Sequence, residues 1–297
     1  MSGTISWHGT LTATSSIAHG GETRGTITLL RRELVVQPDG RHVLVPVISG
    51  NAFRGRLRRI GEELLRDTLA YEGLLPLAAA HALRGGGSLA KTSATPLSGR
   101  RLHDLRSLVP HVGVFGCAGG GRIIDGCLQV GKVVPHVAET AHIIGAGHLP
   151  AFDSTQIESY VRHDDTSAHS FTDVIATDRI RIDDTGQPAL DELPPAEPVS
   201  DTAQLMVYRV ETFPAGTTFT TWLRLDRASD LEAAFFTSVL EGFIADGRLG
   251  GRAAIGHGEV RVDLTHTVHG PAPTAVDWRA HLTEHRDDAL TALHALA

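Results

Sequence analysis

Residues 47–59 read VISGNAFRGRLRR, and this stretch predicts the end of a buried strand, a tight turn and the start of a helix. Ser49 or Asn51 can cap that helix, because a side-chain oxygen there accepts a hydrogen bond from the free N–H groups of the first turn. Beyond the turn, apolar side chains recur with a helical period, at Phe53, Leu57, Ile60 and Leu64. The sequence therefore predicts a strand–turn–helix unit whose helix runs to about residue 69.

The first turns of this helix carry four arginines, which are Arg54, Arg56, Arg58 and Arg59. The helix dipole disfavours cations at an N-terminus, so a bound anion would explain a cluster of them there. Phosphate is the favoured anion, since backbone N–H groups and guanidinium groups both bind it well. The alternative is an amphipathic helix whose arginines face water, and this stretch alone leaves both interpretations open.

A second informative stretch lies near the C-terminus, where residues 247–262 read GRLGGRAAIGHGEVRV. Its glycines allow backbone N–H groups to approach a phosphate or a sugar closely, and Arg248 and Arg252 supply positive charge beside them. A glycine-rich loop is more often an ordinary turn. Together with the arginine-rich helix start, however, it favours a site for a phosphate-bearing ligand.

Composition limits the class of protein. The chain has 297 residues and 41% hydrophobic residues, which suits one large domain or a core domain with insertions. Aromatic residues make up only 5%, so a stacking surface rich in Phe and Tyr is not expected. No membrane span and no secretory signal are visible, and the two cysteines, Cys117 and Cys127, do not form a disulfide scaffold. These features predict a cytoplasmic protein.

Charge is unevenly distributed along the chain. The formal net charge is −7, which by itself disfavours nucleic-acid binding. Residues 1–110 nevertheless hold 14 basic and 8 acidic residues, whereas residues 151–202 hold 3 basic and 12 acidic residues. Because exposed charges act over about 10 Å at 0.1 M salt, the local excess decides phosphate binding. The sequence predicts a positive field around the arginine-rich helix and an acidic segment elsewhere.

The order of predicted elements indicates the fold. Strands are expected at 4–14, 26–37, 43–48, 122–134, 205–211, 218–225 and 259–264, and helices at 50–69, 74–84, 99–109 and 228–245. Asp39-Gly40 marks a hairpin turn. Without insertions the order is strand, hairpin, helix, strand, strand, helix, strand, which predicts an α+β, ferredoxin-like fold. Residues after 265 are expected to be peripheral.

Three segments are expected. Residues 1–145 supply the first part of the ferredoxin-like core and a helical insertion. Residues 146–202 are polar, acidic and rich in turn residues, which predicts an extended insertion. Within it, residues 178–183 alternate like a hairpin arm that carries Arg179 and Arg181. Residues 203–297 supply the second part of the core, the glycine-rich loop and a C-terminal tail.

Three motifs in this order resemble the RAMP superfamily of CRISPR systems. They are PVISGNAFRGRLRR at 46–59, VETFPAGTTFTTWLRL at 210–225 and GRLGGRAAIGHGEVRV at 247–262. The chain is most similar to the Cas-seven-type backbone subunits of class 1 effector complexes, and SGNAFRG and YVRHDD resemble the type IV branch. The spacing of the motifs covers the whole chain, with residues 146–202 where a thumb-like insertion would lie.

The resemblance implies an RNA-recognition-motif-like palm that assembles head to tail with further copies along a CRISPR guide RNA. It also implies other effector subunits and a complementary target nucleic acid as partners, and no cofactor. Carried onto this chain, it implies guide contacts from Ser49, Gly50, Asn51, Arg54 and Arg58, and a loop beside the guide from Gly250, Gly251, Arg252, Gly256 and His257. Arg179 and Arg181 of the thumb-like insertion are further candidates for guide contact.

One departure from the family bears on catalysis. Type III backbone subunits cut target RNA with an aspartate in the loop after the first strand. Residues 15–30 of this chain contain no Asp, and Glu22 is their only acidic residue. The expectation is a non-catalytic scaffold with no catalytic residues and no metal site.

Two rival hypotheses remain open. A guide-processing endoribonuclease of the same superfamily would use His19 as its general acid–base. A metalloenzyme would draw ligands from His163, Asp164, Asp165 and His169, although a solvated loop explains those residues more simply.

Overall fold

The computed structural model describes residues 3–88, 97–119, 121–151, 155–161 and 207–296. The strands in these ranges are β1 (Thr4–Ala13), β2 (Gly20–Arg24), β3 (Ile27–Leu30), β4 (Arg32–Val36), β5 (His42–Pro46), β6 (Cys117–Gly119), β7 (Arg122–Ile124), β8 (Leu128–Val130), β9 (Val134–Pro135), β10 (Gln156–Val161), β11 (Val207–Thr212), β12 (Thr218–Leu225) and β13 (Val260–His269). The helices are α1 (Gly50–Leu69), α2 (Leu77–Gly85), α3 (Gly99–Leu108), α4 (Pro110–Phe115), α5 (Ala141–Ile144), α6 (Asp230–Asp246), α7 (Trp278–Glu284) and α8 (Arg286–His294).

The largest sheet has the strand order β13-β1-β12-β8, and β9 also pairs with β12. All of these neighbours are antiparallel. α1 lies in the chain between β1 and β8, and α6 lies between β12 and β13. Two strands that flank a helix in sequence are thus separated by another strand in space, which is the split βαβ plan of a ferredoxin-like fold. The predicted α+β, ferredoxin-like palm is confirmed.

The core lies between this sheet and the two helices α1 and α6. Leu223 of β12 is fully buried, as its alternating pattern predicts. Trp7 of β1 reaches Phe236 of α6, with ring centroids 5.3 Å apart. Phe53 of α1 and Phe243 of α6 lie 5.0 Å apart. The helices therefore cover one face of the palm sheet, and their apolar stripes match the helical periods in the sequence.

One hairpin leads into the start of α1. β4 and β5 pair antiparallel around the predicted Asp39-Gly40 turn, and Gly40 adopts the left-handed conformation (φ 83°) that such a turn requires. β5 leads through Ile48, which bridges to Val133, into Ser49. The strand–turn–helix unit predicted around residues 47–59 is therefore confirmed.

A smaller sheet has the order β10-β11-β3-β2. β11 runs parallel to β3, and β10 pairs antiparallel with β11 so that Val161 stands opposite Val207. Residues 156–161 of the predicted insertion therefore belong to a sheet. The predicted arm at 178–183, with Arg179 and Arg181, lies outside the described residues.

The single strand predicted at 122–134 is wrong in detail, because three short strands (β7, β8 and β9) occupy these residues. Close backbone approaches at two glycines separate them. A Cβ on Gly126 would lie 2.3 Å from the carbonyl oxygen of Val114, and a Cβ on Gly131 would lie 2.6 Å from the indole nitrogen of Trp222. These contacts depend on distant segments, so the local sequence does not show them.

The expectation that residues after 265 are peripheral is also wrong. β13 continues to His269 and pairs with β1 along its whole length. Trp278 and Leu282 of α7 and Leu293 of α8 are buried in the main core. The Trp278 indole donates a hydrogen bond to Ser238 Oγ at 3.0 Å, which fixes the tail to α6. None of the described helices is long and apolar enough to cross a membrane.

Candidate nucleic-acid interface

The start of α1 is built by three of the residues predicted to contact a guide. Ser49 is the N-cap, and its hydroxyl accepts a hydrogen bond from Ala52 N at 3.2 Å. Gly50 lets the helix approach β8, because a Cβ there would lie 2.8 Å from the carbonyl oxygen of Val130. Asn51 is exposed on the first turn of α1. Ser49 and Gly50 therefore have structural roles, and Asn51 is free to meet a ligand.

Arg54 and Arg58, two of the residues predicted to contact a guide, turn inward and donate hydrogen bonds to backbone carbonyl oxygens. Arg58 is 8% exposed, and its guanidinium donates to the carbonyl oxygens of Gly116 and Phe115, both at 2.7 Å. Arg54 donates to Phe115 O at 2.9 Å and to Leu128 O. Burial, followed by the nearby Arg54, lowers the pKa of Arg58 to about 10, so it stays charged at neutral pH. These two arginines donate hydrogen bonds to carbonyl oxygens at the C-terminal end of α4, where the helix itself supplies no donors.

The other two arginines at the start of α1, Arg56 and Arg59, face a cleft of about 520 Å³. We call this the arginine cleft. It is lined by Ala18, His19, Gly20, Thr28, Asn51, Ala52, Gly55, Arg56, Arg59, Val210, Gly250, Gly251 and Arg252. The cleft thus brings together the helix start, the segment after β1, the smaller sheet and the glycine-rich loop. Of the three motifs that resemble the RAMP superfamily, those at 46–59 and 247–262 each contribute several lining residues, and the motif at 210–225 contributes Val210.

Electrostatics favour an anion in the arginine cleft. Arg59 is largely exposed, and the partial desolvation of its guanidinium, followed by the charges of Arg56 and Arg84, lowers its pKa. Arg56 pairs with Asp246 at 2.5 Å, yet its buried Nε has no hydrogen-bond partner among the described residues. A bound phosphate would relieve the repulsion between these cations and accept hydrogen bonds from their guanidinium groups.

The glycine-rich loop forms the opposite wall. Gly250 has φ +94°, and a Cβ on it would lie 2.6 Å from the carbonyl oxygen of Ala18. Gly251 N donates to the same carbonyl oxygen at 2.8 Å. Glycine is therefore required at 250 so that the loop can pair closely with the segment after β1. Gly256 also has a positive φ, of 90°, and ends a short 3-10 turn at Ala253–Ile255.

Arg252 lies over two stacked tyrosine rings beside the cleft. Its guanidinium carbon lies 5.0 Å from the centre of the Tyr208 ring. Tyr208 stacks on Tyr160, with ring centroids 5.3 Å apart and an interplanar angle of 18°. Arg252 is exposed, so its cation is both oriented by the aromatic face and available to a ligand. The predicted role of Arg252 beside a guide is compatible with this geometry.

His257, which was also predicted to lie beside a guide, is 2% exposed. Its Nδ1 lies 2.9 Å from Ser16 Oγ, and its Nε2 hydrogen-bonds to the hydroxyl of Tyr160. Burial, followed by the hydrogen bond to Glu158, raises the pKa of Tyr160 to about 12, so this hydroxyl stays protonated. His257 thus connects the glycine-rich loop to β10, the strand that leads into residues 162–206.

His19, the candidate base of the rival endoribonuclease, lines the arginine cleft. Its Nε2 lies 3.2 Å from Ser49 N and accepts that hydrogen bond, which requires an unprotonated Nε2. Burial, followed by the charge of Arg31, lowers the pKa of His19. The ring is therefore neutral at pH 7 and has the protonation state of a base.

The remaining catalytic and metal candidates contribute little to this site. Glu22 is exposed on β2 and pairs with Arg24 at 2.7 Å. Where the structure describes the chain, it contains no group of three His, Cys, Asp or Glu residues that could hold a metal ion. The four candidate ligands between 163 and 169 lie outside the described residues, as do Arg179 and Arg181.

Sequence reasoning missed Arg56, Arg59 and Tyr208 as residues of the site. Arg56 and Arg59 belong to the predicted arginine cluster, but the residues singled out within it were the two that turn inward. Tyr208 carries no local signal, because its importance comes from stacking between residues distant in sequence.

Known proteins resemble this chain in sequence and in fold. The family model of the RAMP superfamily matches residues 10–261. No curated protein sequence matches the chain significantly. Among solved structures, a chain of a "Type IV-B CRISPR Complex" is 32% identical, with a TM-score of 0.59, and the match covers 92% of this chain and 95% of that chain. The predicted resemblance to the type IV branch is confirmed, and this chain belongs to the RAMP superfamily.

Proposed function

We propose that this chain is a guide-RNA-binding backbone subunit of a class 1 CRISPR effector complex and that it acts as a non-catalytic scaffold. The observation that carries the proposal is the arginine cleft, where Arg56, Arg59 and Arg252 converge from two motifs far apart in sequence. Guanidinium donors beside a glycine-rich loop suit the phosphates of a single RNA strand. The likeness to a chain of a type IV-B CRISPR complex supports the same function.

Assembly along the guide is the second part of the proposal. Head-to-tail copies would repeat one heterologous contact, and such contacts form open filaments when the rotation between copies does not close. β10 and β11 lead into and out of residues 162–206, and Val210 of β11 lines the arginine cleft. A thumb-like insertion anchored on these strands would start beside the guide and reach a neighbouring copy. Other effector subunits and a complementary target strand would complete the complex.

The length of the RNA tests this assembly. Native mass spectrometry of the chain mixed with single-stranded RNAs of increasing length should show a stepwise increase in bound copies. The same RNAs annealed to complementary strands beforehand serve as a control for binding driven by charge alone. One bound copy at every length would contradict the backbone role, even if the RNA is bound tightly.

The second candidate function is a guide-processing endoribonuclease, and the position of His19 favours it. A neutral imidazole beside arginines has the chemistry to take a proton from a ribose 2′-hydroxyl. However, the Nε2 of His19 already accepts a hydrogen bond from Ser49 N. A role as base at this nitrogen therefore requires that hydrogen bond to break.

Incubation of the purified chain with repeat RNA separates the two candidates. The scaffold proposal expects intact RNA for both the original chain and a His19→Ala variant. Cleavage at one position that disappears in His19→Ala would favour the endoribonuclease. His294→Ala is a matched control. It removes a histidine that is exposed on α8 and does not line the cleft.

A further inference from the structure

The face of the palm sheet that α1 and α6 leave open carries an ordered set of polar side chains. Residues directly opposite one another on neighbouring strands share a face, so the register defines rows across it. One row contains Thr267, Ser6, Arg224 and Gln129, the next contains Thr265, His8 and Trp222, and a third contains Asp263, Thr10 and Thr220. Trp222 is the one large apolar side chain in these rows.

Two rings stand side by side at the centre of this face. His8 of β1 and Trp222 of β12 are register partners on adjacent strands, and both are exposed, Trp222 by 37%. The guanidinium carbon of Arg224 lies 5.7 Å from the Trp222 ring centre. Two rings on β1 and β12, neighbouring inner strands of the palm sheet, form the arrangement on which RNA-recognition sheets stack bases.

Gly131 determines how the indole of Trp222 lies. Its backbone N donates to Trp222 O at 2.8 Å, and a Cβ at this position would lie 2.6–2.8 Å from three atoms of the indole ring. Only glycine leaves room for the ring against the backbone that follows β8. The backbone therefore supports one side of the ring, which is the arrangement needed for a stacking surface.

We propose that this open sheet face is a second binding site for single-stranded nucleic acid, in which Trp222 and His8 stack on bases and Arg224 contacts the backbone. The polar side chains on this face disfavour an apolar protein surface as the partner. Their hydroxyl and guanidinium groups would lose bound water there without gaining hydrogen bonds. Base edges and phosphates supply those hydrogen bonds, and stacking tolerates any base sequence.

This site is separate from the arginine cleft, since none of the side chains in the three rows lines that cleft. The proposal therefore goes beyond the proposed function, which requires only the cleft. It also refines the expectation from composition: a stacking surface rich in Phe and Tyr is absent from this face, but one Trp and one His are sufficient to form a small one.

Tryptophan fluorescence gives a local readout, because Trp7 and Trp278 are 7% and 3% exposed and Trp222 is the accessible indole. Short single-stranded RNA or DNA added to the full chain should quench the fluorescence and protect it from acrylamide. The corresponding duplex should do neither. The experiment is repeated with Arg56→Ala combined with Arg59→Ala, so that failure of the cleft and failure of the sheet face are distinguished.

Variants of the two rings test the assignment. Trp222→Ala combined with His8→Ala should weaken single-strand binding by the sheet face at least tenfold, since stacking contributes about 1–3 kcal/mol per base. Trp222→Phe should keep most of the binding and lose the fluorescence change. Circular dichroism of each variant checks folding, and His294→Ala is the control for the histidine change.

The source of the strand is identified by order of addition. A change at Trp222 when guide RNA is added assigns the site to the guide, and a change only when a complementary strand follows assigns it to the target; either supports the proposal. No change with any single strand would overturn it. Protection of Trp222 on concentrating the chain without nucleic acid would also overturn it, because the face would then be a contact between copies.

Discussion

At the scale of single residues, α1 shows what periodicity can and cannot predict. The apolar period correctly places Phe53 and Leu57 in the core. On the same helical wheel, Arg58 lies well away from that stripe, so periodicity predicts an exposed side chain. The structure buries it because α4 and the turn after it form a second layer against the flank of α1. The partner carbonyls lie more than 50 residues away, where no local pattern shows them.

This difference predicts opposite effects for neighbouring arginines. Arg58→Ala should lower the free energy of unfolding by about 1–3 kcal/mol, because it leaves the carbonyl oxygen of Gly116 without its charged donor and leaves Phe115 O with Arg54 alone. Arg59→Ala should change it by about 0.5 kcal/mol or less, since that side chain is exposed. Urea unfolding of both variants measures the difference. Equal stability of the two would contradict the assignment of Arg58 as a structural residue.

A second residue-scale prediction concerns pH. His111 is fully buried, its Nδ1 has no hydrogen-bond partner within the described residues, and burial, followed by the charge of Arg58, lowers its pKa to about 3. Because the folded pKa lies below the ordinary value of 6.5, the stability tied to neutral His111 is present above about pH 6.5 and is lost as pH falls toward 3.

The original chain should therefore lose up to about 1.4 kcal/mol more per pH unit below pH 6 than His111→Leu does. Unfolding free energies measured between pH 7 and pH 5 test this, and the comparison cancels the titration of groups that both proteins share. Parallel pH profiles would show that His111 does not limit stability in acid.

At the scale of elements, the long amphipathic segments are predictable from the sequence and the short ones are not. α1 and β12 match their predicted bounds closely, because each has a strong apolar period and clear end signals. The sequence pattern merges β7, β8 and β9 into one strand, since Gly126 and Gly131 break them through contacts with distant backbone and with Trp222. The pattern underestimates the tail for a similar reason: Trp278 packs in the main core against Phe235 and Ser238 of α6, which are distant in sequence.

The insertion gives the element-scale prediction. Val161 and Val207 are register partners, so a hairpin loop of about 2–5 residues can replace residues 162–206 without disturbing β10 or β11. We expect this shortened chain to keep its unfolding temperature and to bind short RNA, but to lose the stepwise increase in copies on longer RNA. Native mass spectrometry and thermal unfolding are the measurements.

A matched control for this deletion keeps residues 162–206 and instead replaces the Asp39-Gly40 turn by Asn-Gly, which preserves the β4–β5 hairpin. If the shortened chain still assembled with the same number of copies per RNA length, the thumb-like role of the insertion would be wrong. If it failed to fold, unlike the control, the insertion would belong to the core.

At the scale of the whole molecule, the fold places motifs from both ends of the chain around one cleft. The ferredoxin-like order puts β13 next to β1, and the loop before β13 therefore meets the segment after β1 at Ala18 and Gly251. The sequence predicts both motifs and their joint use, because each has a distinct glycine and arginine pattern. It does not predict which arginines face the cleft, since that depends on the packing of α1 between α4 and the loop.

The most direct test of this account is the salt dependence of RNA binding by the cleft. Arg56→Ala combined with Arg59→Ala should weaken binding of single-stranded RNA and lower the slope of log K against log salt by about 0.7 for each phosphate interaction that the substitutions remove. Arg100→Ala combined with Arg101→Ala removes the same charge from exposed positions on α3 and should leave the slope nearly unchanged. A folded Arg56/Arg59 double variant with the affinity and slope of the original chain would contradict the assignment of the arginine cleft as the guide-binding site.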